Sequence, residues 1–320
     1  MAEGSGAGPT VTCLAGGVGG AKLAHGLQAH IGERLTVVVN TGDDLERHGL
    51  LVMPDHDTVM YTLAGLSNRE LGWGLEGETF EAAGMLERYG EETWFRLGDR
   101  DLATHVVRTA RLRGGERLTD VCRALQASLG VAAAILPMTD HEVRTEVRTA
   151  DGWLDFQDYF VRRHQEPEVL DVRFRGIDRA SATREVRTAI ESARLIVIAP
   201  SNPIVSVGPI LALPGVRAAI GDARMHGARV VAVSGIVGGK ALKGPADRML
   251  ASLGHEASAL GVARLYADLA TDFVIDHVDA TLAPAIGALG LRTHVTDTIM
   301  SDDAARARCA GEVLRIVAAA

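Results

Sequence analysis

A chain of 320 residues exceeds one average domain yet fits a single large α/β unit, and 47% hydrophobic with 23% charged residues allows a sizeable core. The net charge of −8, from 33 Lys and Arg against 41 Asp and Glu, argues against non-specific nucleic-acid binding. Cys13, Cys122 and Cys309 are too few and too widely spaced for a zinc pattern or a disulfide framework, which fits a reducing cytoplasm, the expected location.

Residues 1–9 are small and polar, without the basic and apolar regions of a signal peptide, and read as a disordered lead-in. One domain is expected over 10–320. No apolar run approaches the roughly 20 residues that a membrane span needs. The apolar, β-branched run 10–15 opens into Gly16-Gly17-Val18-Gly19-Gly20 and then the helical Ala21-Lys22-Leu23-Ala24. A strand, a glycine turn and a helix start make an anion site, because free backbone N–H groups and the helix dipole face the same way. The loop is not a P-loop, since Ala21 follows Gly20 where a lysine is required. Nor is it a clean dinucleotide fingerprint. Lys22 takes the third-glycine position, and Asn40 rather than an acid ends the second strand. Nucleotide or diphosphate binding therefore fits better than nicotinamide chemistry, with a plain tight turn as the alternative.

The second strand, 35–40, runs into Thr41-Gly42-Asp43-Asp44, and Pro54-Asp55-His56-Asp57-Thr58 precedes an apolar helix. Four carboxylates near two strand ends, beside a phosphate-type loop, suit magnesium shared with substrate phosphates. Asp is also common at turns and caps; one of Asp55 and Asp57 is expected to cap the helix and leave the other free. Residues 60–129 hold several helices and no convincing strand, a helical insertion. Within it Asp99 or Asp101 is expected to cap a helix over 101–113. His105 reads as structural, and Arg96 and Arg100 are either phosphate contacts or solvated charges.

A third strand is expected at 131–136, then a small β excursion over 139–175 with a hairpin that turns at Ala150-Asp151-Gly152. Strands at 194–199 and 229–234 follow, with weaker ones at 273–276 and 292–295, and helices at 180–192, 245–253 and 303–318. Continuous apolar strands alternating with helices mean a Rossmann-like, doubly wound, mostly parallel sheet. Ligands of such sheets sit outside the carboxyl ends of the strands. Five strand ends are polar, those of the first three strands, Pro200-Ser201-Asn202-Pro203 and Ser234-Gly235, and are expected to form one rim. No Ser/His/Asp triad or nucleophilic cysteine stands out.

In combination these stretches resemble the 2-phospho-L-lactate transferase family (CofD/FbiA) of coenzyme F-420 biosynthesis. The resemblance rests on Ala15 to Lys22, Asn40 to Asp44, Pro54 to Tyr61, Gly72-Trp73-Gly74, Leu97 to Asp101, Ile135 to Asp140, Phe156 to Phe160, Pro200 to Leu211 and Lys243 to Ala246, nearly the whole chain after residue 9. It implies transfer of a 2-phospholactyl or enolpyruvyl phosphate group from a guanosine diphosphate-linked donor to the deazaflavin FO, with release of GMP. It also implies Mg2+ on Asp43 and Asp57, with Asp44 and Asp55 in reserve, and Asp57 and Asp43 as the catalytic pair. Asp57 and Arg96 would hold the acceptor. Gly16, Gly17, Gly19, Gly20, Lys22, Asn40, Thr41, Ser201 and Asn202 would hold the nucleotide and its phosphates, in a homodimer. The chain departs from the family at Gly235, where proline is usual. A nucleotide-sensing regulatory protein of related Gly-rich fold, binding without turnover, is the alternative; a NAD-dependent oxidoreductase is disfavoured by Asn40.

Overall fold

Seven parallel strands make the central sheet of the computed structural model, which describes residues 10–318; the lead-in expected at 1–9 lies outside the described residues. In chain order the strands are β1 (Val11–Ala15), β2 (Leu35–Val39), β3 (Leu45–Arg47), β4 (Leu50–Val52), β5 (Ala134–Pro137), β6 (Arg144–Thr149), β7 (Gly152–Asp155), β8 (Asp171–Arg175), β9 (Leu195–Ile198), β10 (Arg229–Val233), β11 (Ile236–Val237), β12 (Lys240–Ala241), β13 (Asp272–Asp276) and β14 (Arg292–Thr296). The sheet runs β14-β13-β10-β9-β1-β2-β5, and every neighbouring pair is parallel. This is the doubly wound order with one added strand, and the chain reverses its direction of growth between β1 and β9.

The apolar runs are continuous because both faces of the sheet are covered. Leu14, Val38 and Ile198 enter one core, while Cys13, Val37 and Val197 alternate into the other. The Rossmann-like expectation holds. Helices α1 (Gly17–Ile31), α2 (Pro54–Leu63), α3 (Glu81–Arg88), α4 (Asp99–Arg113) and α5 (Leu118–Ser128) precede β5, and the C-terminal helix Asp303–Ala318 packs on α1. Among the described residues no helix is long and apolar enough to cross a membrane.

Three local differences have physical causes. The third strand begins at Ala134 rather than 131, at the sheet's edge, where glutamine side chains replace a neighbouring strand. Gln28 accepts from Ala133 N at 3.1 Å and Gln126 from Ile135 N at 2.7 Å. The excursion has the expected hairpin, but β8 adds a third strand, antiparallel to β6. Neither Asp99 nor Asp101 caps its own helix. The Asp99 carboxylate instead accepts from Glu81 N and Ala82 N at the start of α3, both at 2.9 Å, while Glu78 accepts from Arg100 N at 2.7 Å at the start of α4. The two helix starts cap each other.

Candidate active site at the sheet reversal

The crevice between the β1 and β9 ends is closed by backbone meeting backbone. Gly16 is extended (φ −159°, ψ 156°) and forms the N-cap of α1. Its N–H donates to Ser201 Oγ at 3.1 Å, and the Ser201 hydroxyl donates back to Gly16 O at 2.8 Å. A β-carbon at Gly19 would overlap the carbonyl oxygen of Pro200, so only glycine lets the loop after β1 approach the loop after β9. Gly19→Ala is therefore expected to lower the melting temperature by several degrees in calorimetry. The control is Gly221→Ala, where a β-carbon meets open space on helix Val216–Met225 and should leave stability unchanged or slightly higher.

Above this contact lies a cavity of about 520 Å³. Gly16, Gly17, Gly19, Lys22, Asp43, Asp55 and Asp57 line its floor, and Ser201 and Asn202 its β9 side. Trp73, Trp94, Phe95 and Arg96 come from the helical insertion, and Phe156 and Phe160 from the β excursion. Both excursions thus wall the cavity. Phe156 and Phe160 stack at 5.4 Å between centroids, and Arg96 lies 4.0 Å from the Phe80 ring centre. Gly20, Asn40, Thr41 and Asp44 sit behind the surface rather than on it. Asn40 donates from Nδ2 to Asp55 Oδ2 at 3.0 Å and accepts from Gly42 N at 2.7 Å, so it positions a carboxylate.

The rim is not the five ends expected. After β5, Asp140 turns away and accepts from Thr119 N at 2.8 Å, at the start of α5. Thr298, beyond β14, takes part instead, with Ser234 and Gly235 beyond β10.

The four aspartates have different environments. Asp55 does not cap α2, whose N-cap is Met53; it accepts from Gly17 N at 2.8 Å, across the helix start of α1. Burial pushes its carboxyl up to about 6. Burial, together with the Asp55 charge, raises Asp43 well above the usual carboxylate range, and Asp43 Oδ1 is buried without a hydrogen-bond partner. Asp44 is also raised by burial. Asp57 behaves oppositely. Burial alone would raise it, but Arg108 binds both its oxygens, Nη1 to Oδ2 at 3.0 Å and Nη2 to Oδ1, and holds it well below the usual range.

Arg108 is fully buried, and sequence reasoning missed it. Around the pair, His105 Nδ1 stands 3.7 Å from Asp57 Oδ2 and its Nε2 3.3 Å from Asp101 Oδ2, while Tyr61 donates to Asp101 Oδ1 at 2.7 Å. The available signal was the spacing of Asp101, His105 and Arg108 along one face of α4.

Hard cations want carboxylate oxygens with unspent acceptor capacity. Asp43 and Asp55 fit a magnesium ion as two buried acids on the cavity floor with raised pKa values. Asp43 Oδ1 is orphaned, and each Asp55 oxygen accepts a single N–H and keeps a second lone pair, with no cation bound to it as Arg108 is to Asp57. Asp57, Asp101 and His105 bring three ligand atoms within 4.8 Å of one another, but Arg108 and Tyr61 already occupy that cluster.

Fold and site define a Rossmann-like α/β protein with a deep cavity at the sheet reversal, acidic and basic on its floor and aromatic on its walls. The chain belongs to the 2-phospho-L-lactate transferase family, whose model matches residues 11–288. It is accordingly an enzyme of the 2-phospho-L-lactate and phosphoenolpyruvate transferase type. Among its relatives, the 2-phospho-L-lactate transferase of Methanosarcina acetivorans is 41% identical over 289 residues, 90% of this chain and 92% of that one. The phosphoenolpyruvate transferase of Streptomyces griseus is 43% identical over 313 residues, 96% of this chain and 98% of that one. A crystal structure of a UPF0052 family member from Bacillus halodurans superposes with a TM-score of 0.65 at 16% identity, covering 96% of this chain and 99% of that one; this likeness concerns the fold alone.

Proposed function

We propose that the protein transfers a phosphorylated three-carbon acid from a guanosine diphosphate-linked donor to the deazaflavin FO, releasing GMP, in coenzyme F-420 biosynthesis. The observation that carries this reading is the juxtaposition, in one cavity of a transferase-family chain, of buried carboxylates, the glycine loop and lysine, and an aromatic wall. A diphosphate would lie over the first turn of α1, where the Val18 and Gly19 N–H groups have no partner within the helix, those of Gly16 and Gly17 being given to Ser201 and Asp55. Lys22 would supply positive charge beside it. Trp73, Trp94 and the stacked Phe156 and Phe160 offer flat apolar surface to a tricyclic acceptor. Asp57, kept ionised by Arg108, would accept the hydrogen bond of the attacking ribityl hydroxyl and fix its direction.

A magnesium ion, held by Asp43 and Asp55 rather than by Asp57, would neutralise charge on the diphosphate. In the balanced reaction the FO hydroxyl oxygen bonds to the acid-bearing phosphorus, the bond from that phosphorus to the bridging oxygen breaks, and GMP leaves with the bridging oxygen.

The assay mixes purified protein with FO, magnesium and the lactyl, enolpyruvyl or glyceryl guanosine diphosphate donor, and reads GMP and product masses. GMP release with an FO–phosphoacid product is the expected result. Nucleotide binding without turnover of any donor would favour a nucleotide-sensing protein instead.

Acidity supplies a second check. An Asp55 carboxyl raised to about 6 keeps its proton in the fold at pH values where the unfolded chain has lost it. Its contribution to stability is complete below the unfolded value and is lost as pH rises through about 6. The raised Asp43 acts in the same sense. Asp57 has the opposite sign, and its contribution is lost only as pH falls below the ordinary carboxylate range. Magnesium competes with protons for Asp43 and Asp55. The magnesium-induced rise in melting temperature is therefore expected to be larger at about pH 8 than at about pH 5. A rise independent of pH would exclude these ligands.

A further inference from the structure

Only three lysines occur among the 33 basic residues, Lys22, Lys240 and Lys243. Two of the three, Lys22 and Lys243, line the same cavity. The ion pairs of the described residues are made by arginine and histidine, as at Asp57, Asp272 and Asp303, and none uses a lysine. Lys243 Nζ rests instead on a neutral acceptor, the carbonyl oxygen of Leu71, at 3.3 Å. That contact joins two segments otherwise far apart in sequence, the turn around Gly72-Trp73-Gly74 and the loop after β12, which carries Leu242 to Pro245 along the cavity wall.

The ammonium also stands beside the start of α1. A β-carbon at Gly72 would overlap Lys243 Nζ and would touch Val18 Cγ2 at 3.6 Å. Lys22 lies one turn along α1, and its own proton is held less tightly because of burial, then Arg306, then Lys243. Two cations thus converge on the glycine loop, whose first residues also meet the buried Asp55. A carbonyl oxygen compensates a full positive charge far less than a phosphate does. A lysine, with a flexible stem and three rotatable donors, can exchange one acceptor for the other.

We propose that Lys243 binds the donor's diphosphate, its ammonium passing from the Leu71 carbonyl to a phosphate oxygen and securing the loop after β12 over the occupied cavity. This rests on the proposed function for the identity of the donor, but the anion-binding role can be tested without it. Magnesium pyrophosphate and magnesium GDP are titrated calorimetrically into the wild-type protein, Lys243→Ala, Lys243→Arg and Lys240→Ala. Lys240 is exposed and does not line the cavity.

Loss of one charge-assisted contact is expected to weaken both ligands about tenfold or more in Lys243→Ala, with part recovered in Lys243→Arg and none lost in Lys240→Ala. In turnover, the donor KM should rise by a similar factor while the FO KM stays unchanged. Affinities of Lys243→Ala within twofold of wild type would overturn the assignment. Lys243-dependent pyrophosphate binding without turnover of any guanosine-linked acid would uphold the lysine's role and defeat the proposed reaction. Binding of neither probe by the wild-type protein would overturn both.

Discussion

Asp43→Asn is expected to lower kcat on the order of 10³-fold while leaving the fold intact or slightly more stable, a loss of several kcal/mol of transition-state stabilisation. The two halves of this expectation share one cause. Asp43 is buried with an unpartnered oxygen, and both burial and the neighbouring Asp55 charge oppose its ionisation. An ionised carboxylate there weakens the metal-free protein, so a neutral isostere relieves that cost. It would also remove one of the two carboxylates proposed to hold magnesium. Activity and urea denaturation on the same preparation check both halves. Retained activity in Asp43→Asn would remove this carboxylate from the chemistry, and a large drop in stability would show that its role is structural.

Arg108→Met carries the largest expected effect on stability, about 3–5 kcal/mol, because it leaves Asp57 buried without its counter-charge. The double variant with Asp57→Asn removes the uncompensated charge and should recover most of that loss. Activity should not return, since neither a carboxylate nor its orientation is restored at position 57. Denaturation of the two single variants and the double variant gives the coupling directly. A single-variant loss below about 1 kcal/mol would mean that Asp57 finds water or another cation when Arg108 is gone.

The features that sequence alone made legible were set locally. A parallel strand buried on both faces must be apolar throughout, so β1, β2, β9 and β10 stood out as uninterrupted runs. The glycine loop was legible because the Pro200 carbonyl leaves no room for a side chain at Gly19, and the Ser201 hydroxyl with the Ala15 methyl leaves none at Gly20. The strands that escaped are β3, β4 and β8, only partly buried and so without the apolar run that marks the sheet, and the two-residue β11 and β12, too short to show a pattern. The limits of β5 depend on Gln28 and Gln126, which reach it from outside the strand.

The site divides in the same way. Its residue types and strand-end positions were readable, but the difference between Asp55 and Asp57 was not. Two residues apart on α2, one meets the start of α1 and the other meets Arg108 on α4. That difference comes from the packing of α2 between two other helices, and no periodicity in the sequence records it. Asn40 is a related case. It stood out as the residue where an NAD enzyme would carry an acid, yet its side chain serves to hold Asp55 and the turn at Gly42.

The most direct test of the account is the position of a divalent cation with GDP bound. Crystals grown with manganese and GDP, with data collected at the manganese absorption edge, would place the ion by its anomalous signal. A peak against Asp43 and Asp55, next to the diphosphate over the glycine loop, is the predicted result. A peak within the cluster of Asp57, Asp101 and His105, or a bound nucleotide with no metal at Asp43, would contradict it.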